Sequence, residues 1–341
     1  MGAVVAAHLY YQQSRSGPVS EMNRHSTPLV TIGIPTYNRA NGYLRATLES
    51  ALAQTYPNLE IVVADNCSPD NTRAVVEGYG DRRILYFRHD PGMKPNDNFN
   101  FCLQQAKGAY FLLLHDDDTI DPDFVETCMR AVGYDTHVGI IRTGTRMINA
   151  AGMAINEGKN SVAGLSTADF FLAWFSGKTP LYLCSTLYNC EGLKQIGGFH
   201  TRHNLFQDVV ATARLAATMG RVDVEQPMAS ARQHGGKWTH VARVREWCED
   251  SQELLDLLRQ LAPDKSAEVR EHGLQFFINV NYSRASDVRA LTERLKAYLI
   301  VYRFFGGRRL PPADMVFRST ALYRGLRHMK RKMLGMPEWI D

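Results

Sequence analysis

The sequence predicts an open, mostly parallel α/β sheet with helices on both faces, followed by a helical C-terminal region. Three observations predict it. Short apolar runs alternate with helix-length segments four times in under 110 residues; the runs stop at polar or acidic residues; and beyond about residue 240 only helical periodicity remains. Fully apolar runs of this length suit strands buried on both faces of a parallel sheet.

In chain order, residues 29–34 form the first strand, ended by Pro35. Leu44, Leu48, Ala51 and Leu52 then fall at i, i+4, i+7 and i+8, one face of a helix. Residues 61–64 make the second strand and stop at Asp65; a helix-length segment leads to the third, residues 84–87. Between residues 98 and 107, Phe99, Leu103 and Ala106 share a helical face, with Asn96 or Asp97 as the cap and Gly108 as the stop. The fourth strand, residues 110–114, runs straight into His115-Asp116-Asp117-Asp118. Asp121-Pro122 then reads as an N-cap followed by proline at the first helical position. From 135 to 235 the pattern is mixed, with short strands at 138–142 and 181–187, a helix capped by Ser166, and Gly197-Gly198-Phe199. Leu254, Leu255, Leu257, Leu258 and Leu261, then Leu291, Leu295, Tyr298, Leu299 and Tyr302, mark the later helices.

The 341 residues allow one large domain with an appendage, or two domains. With 45% apolar and 22% charged residues, wholesale disorder and collagen-like chains are excluded. Net charge is +4, too mild to imply nucleic acid, but it is uneven: residues 301–341 hold nine Lys/Arg against three Asp/Glu, or +6, which leaves −2 for the rest. Six cysteines without a C-x-x-C pair suit reduced thiols in an intracellular protein. No apolar run approaches the roughly 18–20 residues of a membrane span. The opening Ala3-Val4-Val5-Ala6-Ala7 is too short, and too poor in basic residues, for a signal peptide. A soluble, cytoplasmic protein is expected, with residues 1–27 poorly ordered.

Ligands of open α/β sheets bind beyond the carboxyl ends of the strands. Three carboxylates in a row after five large apolar residues repel one another, and a divalent cation would offset that cost. The alternative is a solvated acidic turn at the start of the next helix, where negative charge is favoured. Asp65 closes an earlier strand and could accept hydrogen bonds from a nucleobase or ribose; Asp70, in the turn that follows, could cap the next helix. No G-x-G-x-x-G follows the first strand and no G-x-x-x-x-G-K-[ST] occurs, so dinucleotide and P-loop chemistry are not expected. Carboxylates offered to a nucleotide diphosphate imply a metal-bridged leaving group.

The opening Val30-Thr31-Ile32-Gly33-Ile34-Pro35-Thr36-Tyr37-Asn38-Arg39 resembles the first strand of family 2 glycosyltransferases of the GT-A fold. The likeness continues through SALAQTY at 50–56, EIVVADNCSPD at 60–70 and GAYFLLLHDDD at 108–118, and more weakly through Gly197-Gly198-Phe199 with Gln207-Asp208, covering roughly residues 28–240. This resemblance implies a nucleotide-sugar-binding domain over 28–240 and transfer of a sugar from its nucleotide diphosphate with inversion. Pro35, Thr36, Tyr37, Arg39 and Asp65 would line the nucleotide pocket, and Asp116–Asp118 would stand as the D-x-D motif holding Mn²⁺ or Mg²⁺. His115 departs from the commonest form, where an Asp is usual. Among the carboxylates Asp118 is favoured for the metal, Asp117 second, with Asp116 nearer the ribose. Asp208 would be the base, the Gln207 beside it replacing a usual Glu; the alternative for Asp208 is a charge favouring a helix N-terminus. His234, in Arg232-Gln233-His234, would be a further metal ligand. The Gly235-Gly236-Lys237-Trp238 stretch would close over the donor, and Asn98 or Asn100 would approach the nucleotide.

Leu322, Leu326, Met329 and Met333 stand at helical spacing among Arg318, Arg324, Arg327, Lys330, Arg331 and Lys332. The region 241–341 thus reads as helical with a basic amphipathic tail, suited either to the inner face of the cell membrane, where a lipid-linked acceptor would lie, or to packing on the body of the protein. Two other functions compete. A nucleotidyltransferase would want a Gly-rich, basic loop after its first strand, and a non-catalytic nucleotide-sugar-binding protein would account for His115 and Gln207.

Overall fold

The computed structural model describes residues 27–234, 243–288 and 290–311. The N-terminal segment up to residue 26, the stretch from Gly235 through Trp238, and the basic tail beyond residue 311 lie outside the described residues.

The first half follows the expected rhythm: β1 (Val30–Thr36), α1 (Leu44–Leu52), β2 (Leu59–Asp65), α2 (Thr72–Glu77), β3 (Ile84–Arg88), α3 (Pro95–Gln105) and β4 (Tyr110–Leu113). The four strands are parallel, in the order β3-β2-β1-β4. β1 is buried along its whole length, as its unbroken apolar run requires. It also runs through Pro35 to Thr36, which pairs with Asp65. The proline is tolerated because the ladder to β4 ends at Gly33.

The second half comprises β5 (Thr119–Ile120), α4 (Phe124–Ala131), β6 (Ile140–Ile148), β7 (Ala154–Gly158), α5 (Thr167–Phe175), a 3-10 turn (Leu183–Ser185), β8 (Thr186–Asn189), α6 (Cys190–Gln195), α7 (Gln207–Met219) and β9 (Arg221–Arg232). Its strands continue the same sheet in the order β4-β8-β6-β9-β5, with β7 on β6. β8 is antiparallel to β4 and β6, whereas β9 is parallel to β6 and antiparallel to β5. β4 and β5 are therefore nearly adjacent in sequence but well apart in the sheet. The sheet curls, and the acidic turn between them lies in the mouth of the curl.

Two expected caps are replaced. Helix α4 begins at Phe124 with Asp123 before it, and Asp121 instead binds Arg146 through both oxygens at 2.8 and 2.7 Å. Helix α3 begins at Pro95 after Lys94, so neither Asn96 nor Asp97 caps it. Ser166 caps α5 as expected, accepting from the Asp169 N–H.

Asn96 and Asn100 look across to the Gly197-Gly198-Phe199 turn. The Phe199 carbonyl accepts from Asn96 Nδ2 at 2.6 Å and Asn100 Nδ2 at 3.1 Å, and the Phe199 N–H donates to Asn100 Oδ1 at 2.8 Å. Gly198 has φ +77°, and a Cβ there would overlap Asn100 Oδ1. This clamp fixes the chain entering α7.

Apolar clusters cover both faces of the sheet. One of them continues into the helices α8 (Val244–Leu261), α9 (Ser266–Ser286) and α10 (Leu291–Phe304). Phe206, just before α7, packs edge-on against Trp247 of α8 and Phe277 of α9, at 5.3 and 5.7 Å between ring centres. All six cysteines are free thiols. Among the described residues no helix is long and apolar enough to cross a membrane.

Gly198→Ala should therefore lower stability by about 2 kcal/mol or more, combining left-handed strain with the clash on Asn100. Gly133→Ala, also left-handed but with nothing within 4 Å of an added Cβ, should cost only about 1 kcal/mol. Urea midpoints of the two variants check the difference.

Candidate active site

The three aspartates after β4 face different partners. Asp116 turns back to the end of β1: its Oδ2 accepts from Thr36 Oγ1 at 2.8 Å and from the Tyr37 N–H at 3.4 Å, and Arg39 Nε lies 3.8 Å from Oδ1. Burial pushes the Asp116 carboxyl up to about 6; the Thr36 hydroxyl opposes the shift and the charge of Asp117 adds to it. Asp117 and Asp118 turn the other way. Together with His115 they place ligand atoms within 4.8 Å of one another, an O/N donor set that a hard or borderline divalent cation accepts.

This turn is held by the end of β9. The Arg232 N–H donates to Asp118 Oδ1 at 2.9 Å, and Arg232 Nε donates to the Asp117 carbonyl at 2.8 Å. The buried Arg232 guanidinium also reaches the Asn149 carbonyl and lies 4.4 Å over the Tyr43 ring. Two residues on, His234 Nε2 stands 2.6 Å from Asp117 Oδ2, with its ring 5.2 Å from that of Tyr43. On the other side, Thr47 of α1 donates to the Asp118 carbonyl at 2.8 Å.

The loops after β1 and β2 form one wall beside Asp116. Asp65 is buried, with Oδ1 accepting from the Ser68 N–H at 2.9 Å and Oδ2 from Tyr86 Oη at 2.6 Å; Arg88 Nε lies 3.9 Å away. Asn38 donates its N–H to Ser68 Oγ at 2.8 Å, tying the two loops. Asp70 accepts from the N–H groups of Ala40 and Thr72, so it braces the start of α2 and the β1 loop together. Tyr37 is 56% exposed and projects from this wall, whereas Pro35 is buried inside β1. Asn98 and Asn100, expected to approach the nucleotide, are both buried. Asn98 donates to the Ala64 carbonyl and meets His89, and Asn100 is spent on the Phe199 turn.

Asp208 sits in the first turn of α7. Burial pushes its carboxyl up to about 6, opposed by the backbone N–H groups of Val209 and of Asp208 itself. Beside it, Gln207 Oε1 is buried with no hydrogen-bond partner among the described residues. Tyr182, 37% exposed, has its phenol pushed up by burial and then by Cys184, Asp118 and Asp208. Its carbonyl is pinned by Ser185 and Thr186.

Residues 31–186 match the model for Glycosyl transferase family 2. Over that span, a little under half of the chain, the sequence is that of a family 2 glycosyltransferase domain. Its curated relatives include the chondroitin synthase of Pasteurella multocida, 34% identical over 144 residues, which cover 42% of this chain and 15% of that protein. An uncharacterized glycosyltransferase of Rickettsia typhi is 40% identical over 100 residues, covering 29% of this chain and 30% of that one. The glycosyltransferase matches thus span less than a third of either relative's length. Among solved structures, Staphylococcus aureus TarS 1–349 in complex with UDP-GlcNAc superposes with TM-score 0.60 at 17% identity, over 92% of this chain and 94% of that one. The mannosyltransferase PcManGT of Pyrobaculum calidifontis, in complex with GDP-Man and Mn²⁺, gives 0.53 at 20% identity, over 97% and 95%. The fold is GT-A.

Three residues of the candidate site escaped sequence reasoning. His115 registered as a departure from a motif, yet its place beside two carboxylates at a strand end already made a ligand set. Arg232 was passed over for its neighbour His234. Tyr182 left no signal, since only folding brings it near Asp118 and Asp208. Because Arg232 supplies several donors to buried acceptors, Arg232→Ala should cost about 2–4 kcal/mol by chemical denaturation. Arg232→Lys should recover only part of that, having no planar fork to reach both carbonyls.

Proposed function

We propose that this protein is an inverting, metal-dependent glycosyltransferase that moves a hexosyl or deoxyhexosyl group from a nucleotide-diphosphate sugar to a hydroxyl of a glycan or lipid-linked acceptor, in synthesis of a cell-surface polysaccharide or glycolipid. The observation that carries this reading is the division of labour in one turn. Asp116 faces the β1 loop, while His115, Asp117 and Asp118 converge away from it. The titles of the neighbouring structures, with UDP-GlcNAc in one and GDP-Man with Mn²⁺ in the other, support the donor class.

In this reading Tyr37, Arg39, Asp65 and Asp116 hold the nucleoside, and Thr36 fixes the orientation of Asp116. Asp117 and Asp118, with His115 and His234 beside them, hold Mn²⁺ or Mg²⁺. When bound, that ion neutralises the departing diphosphate. Asp208 takes the acceptor's proton as the hydroxyl attacks, and its raised proton affinity suits a base working near neutral pH. Gln207 Oε1 accepts from a substrate hydroxyl. The enzyme acts in the cytoplasm, peripherally on the inner face of the membrane.

A panel of sugar nucleotides that includes UDP-GlcNAc and GDP-Man, assayed with and without Mn²⁺, should show release of nucleoside diphosphate that EDTA abolishes. Asp118→Asn and Asp208→Asn should each reduce it by at least about a hundredfold. Release of pyrophosphate would instead mean nucleotidyl transfer, and binding without turnover a non-catalytic protein.

Asp208 is protonated below about pH 6, so the rate should fall roughly tenfold per unit beneath that point. Its folded-state value lies above the ordinary 3.8, so its charge opposes folding, fully above pH 6 and not at all below 3.8. Asp208→Asn should therefore be inactive yet about 1–2 kcal/mol more stable at pH 8, and no more stable at pH 3.5. Thermal midpoints at the two pH values test this.

A further inference from the structure

Helix α10 has two apolar faces. Ala297, Tyr298 and Val301 are buried, on a helix that packs against α8 and α9. Leu291, Leu295 and Leu299, at i, i+4 and i+8, stay 60%, 52% and 45% exposed, and Leu310 beyond the helix is 76% exposed. At Leu299 the stripe opens into a groove of about 380 Å³, lined also by Ile300, Phe304, Arg245, Lys296 and Arg303. Its rim is basic, and the exposed Arg308 and Arg309 follow directly. Glu293 pairs with Lys296 at 2.8 Å and is the only acidic residue between 288 and 311. Scattered surface leucines need no explanation, but three in register beside cations form a patch.

We propose that this face of α10 docks on an anionic lipid surface, the leucines entering the headgroup boundary and the cations meeting lipid phosphates. Charge selects the occupant. Residues 312–341 carry six Lys/Arg against three Asp/Glu, so folding them onto this face sets cations against cations. A second copy of the chain would bring the same cations again. An anionic monolayer offers opposite charge and an apolar interior together. The inference extends the peripheral membrane placement proposed above but does not rest on the transfer reaction, so its test contains no donor sugar.

The full chain is sedimented with vesicles of phosphatidylcholine alone, or with about one-third phosphatidylglycerol. Binding is expected to the second and not the first. Leu295→Gln/Leu299→Gln should weaken it at least about tenfold, the loss of two buried leucines, with an unchanged thermal midpoint. Lys296→Glu/Arg303→Glu should erase the preference for phosphatidylglycerol, each cation contributing roughly fivefold. Any of four results overturns the proposal. The wild-type chain fails to sediment with anionic vesicles. The leucine variant sediments undiminished, which puts the contact elsewhere. The leucine variant melts lower, which means the chain itself covers the stripe. Or the wild type is a dimer that the leucine variant dissociates, which assigns the face to a second copy.

Discussion

The return of β9 to the acidic turn is the constraint on which the site depends. β4 delivers His115 to Asp118 and Thr36 holds Asp116, but another element has to hold Asp117 and Asp118 in a defined arrangement. β9 does so from the far side of the sheet, through the Arg232 backbone and guanidinium and through His234. The short pairing of Thr119 with Ser230 and Ile120 with Ala229 sets that approach. A register slip there would withdraw all of these contacts at once.

Electrostatics explains why the arrangement is split. Three like charges facing one point would be costly in a partly buried site. One is drawn toward Thr36 and Arg39, and the others meet His234 and Arg232. Donors on the chain thus offset much of the repulsion before any ligand arrives, so the turn is shaped in advance, the condition under which fixed groups act on a reacting substrate without reorganising. Asp208 sits differently, half-buried in the first turn of α7 with backbone N–H groups as its donors, and its proton affinity rises accordingly.

The parallel half of the fold was legible because β1, β2 and β4 are buried on both faces and their sequences say so in continuous apolar residues. Boundaries were less so: Pro35 read as a stop, and only the shortened ladder to β4 explains why the strand passes it. Caps failed for a related reason, since Asp121 and Asn96 are spent on distant partners that no local pattern announces. The order β8-β6-β9-β5 was beyond reach, being a set of long-range pairings between short strands. The candidate site divides along the same line. The acidic cluster stands out in sequence and Asp208 only through the family resemblance, whereas the separation of Asp116 from Asp117 and the clamp by Arg232 exist only after β9 has come back. In α10 the periodicity displayed leucines without saying that the opposite face would be the buried one.

The shared aromatic cluster has a consequence for how this unit can be reused. Phe206 stands two residues before Asp208 and rests on Trp247 and Phe277. A protein engineer who wished to transplant the sheet and its loops onto another scaffold would have to carry the later helices along, or supply a substitute surface for that ring. The same holds for recombination in nature: the seam along which the chain can be cut without disturbing Asp208 does not fall where the sheet ends.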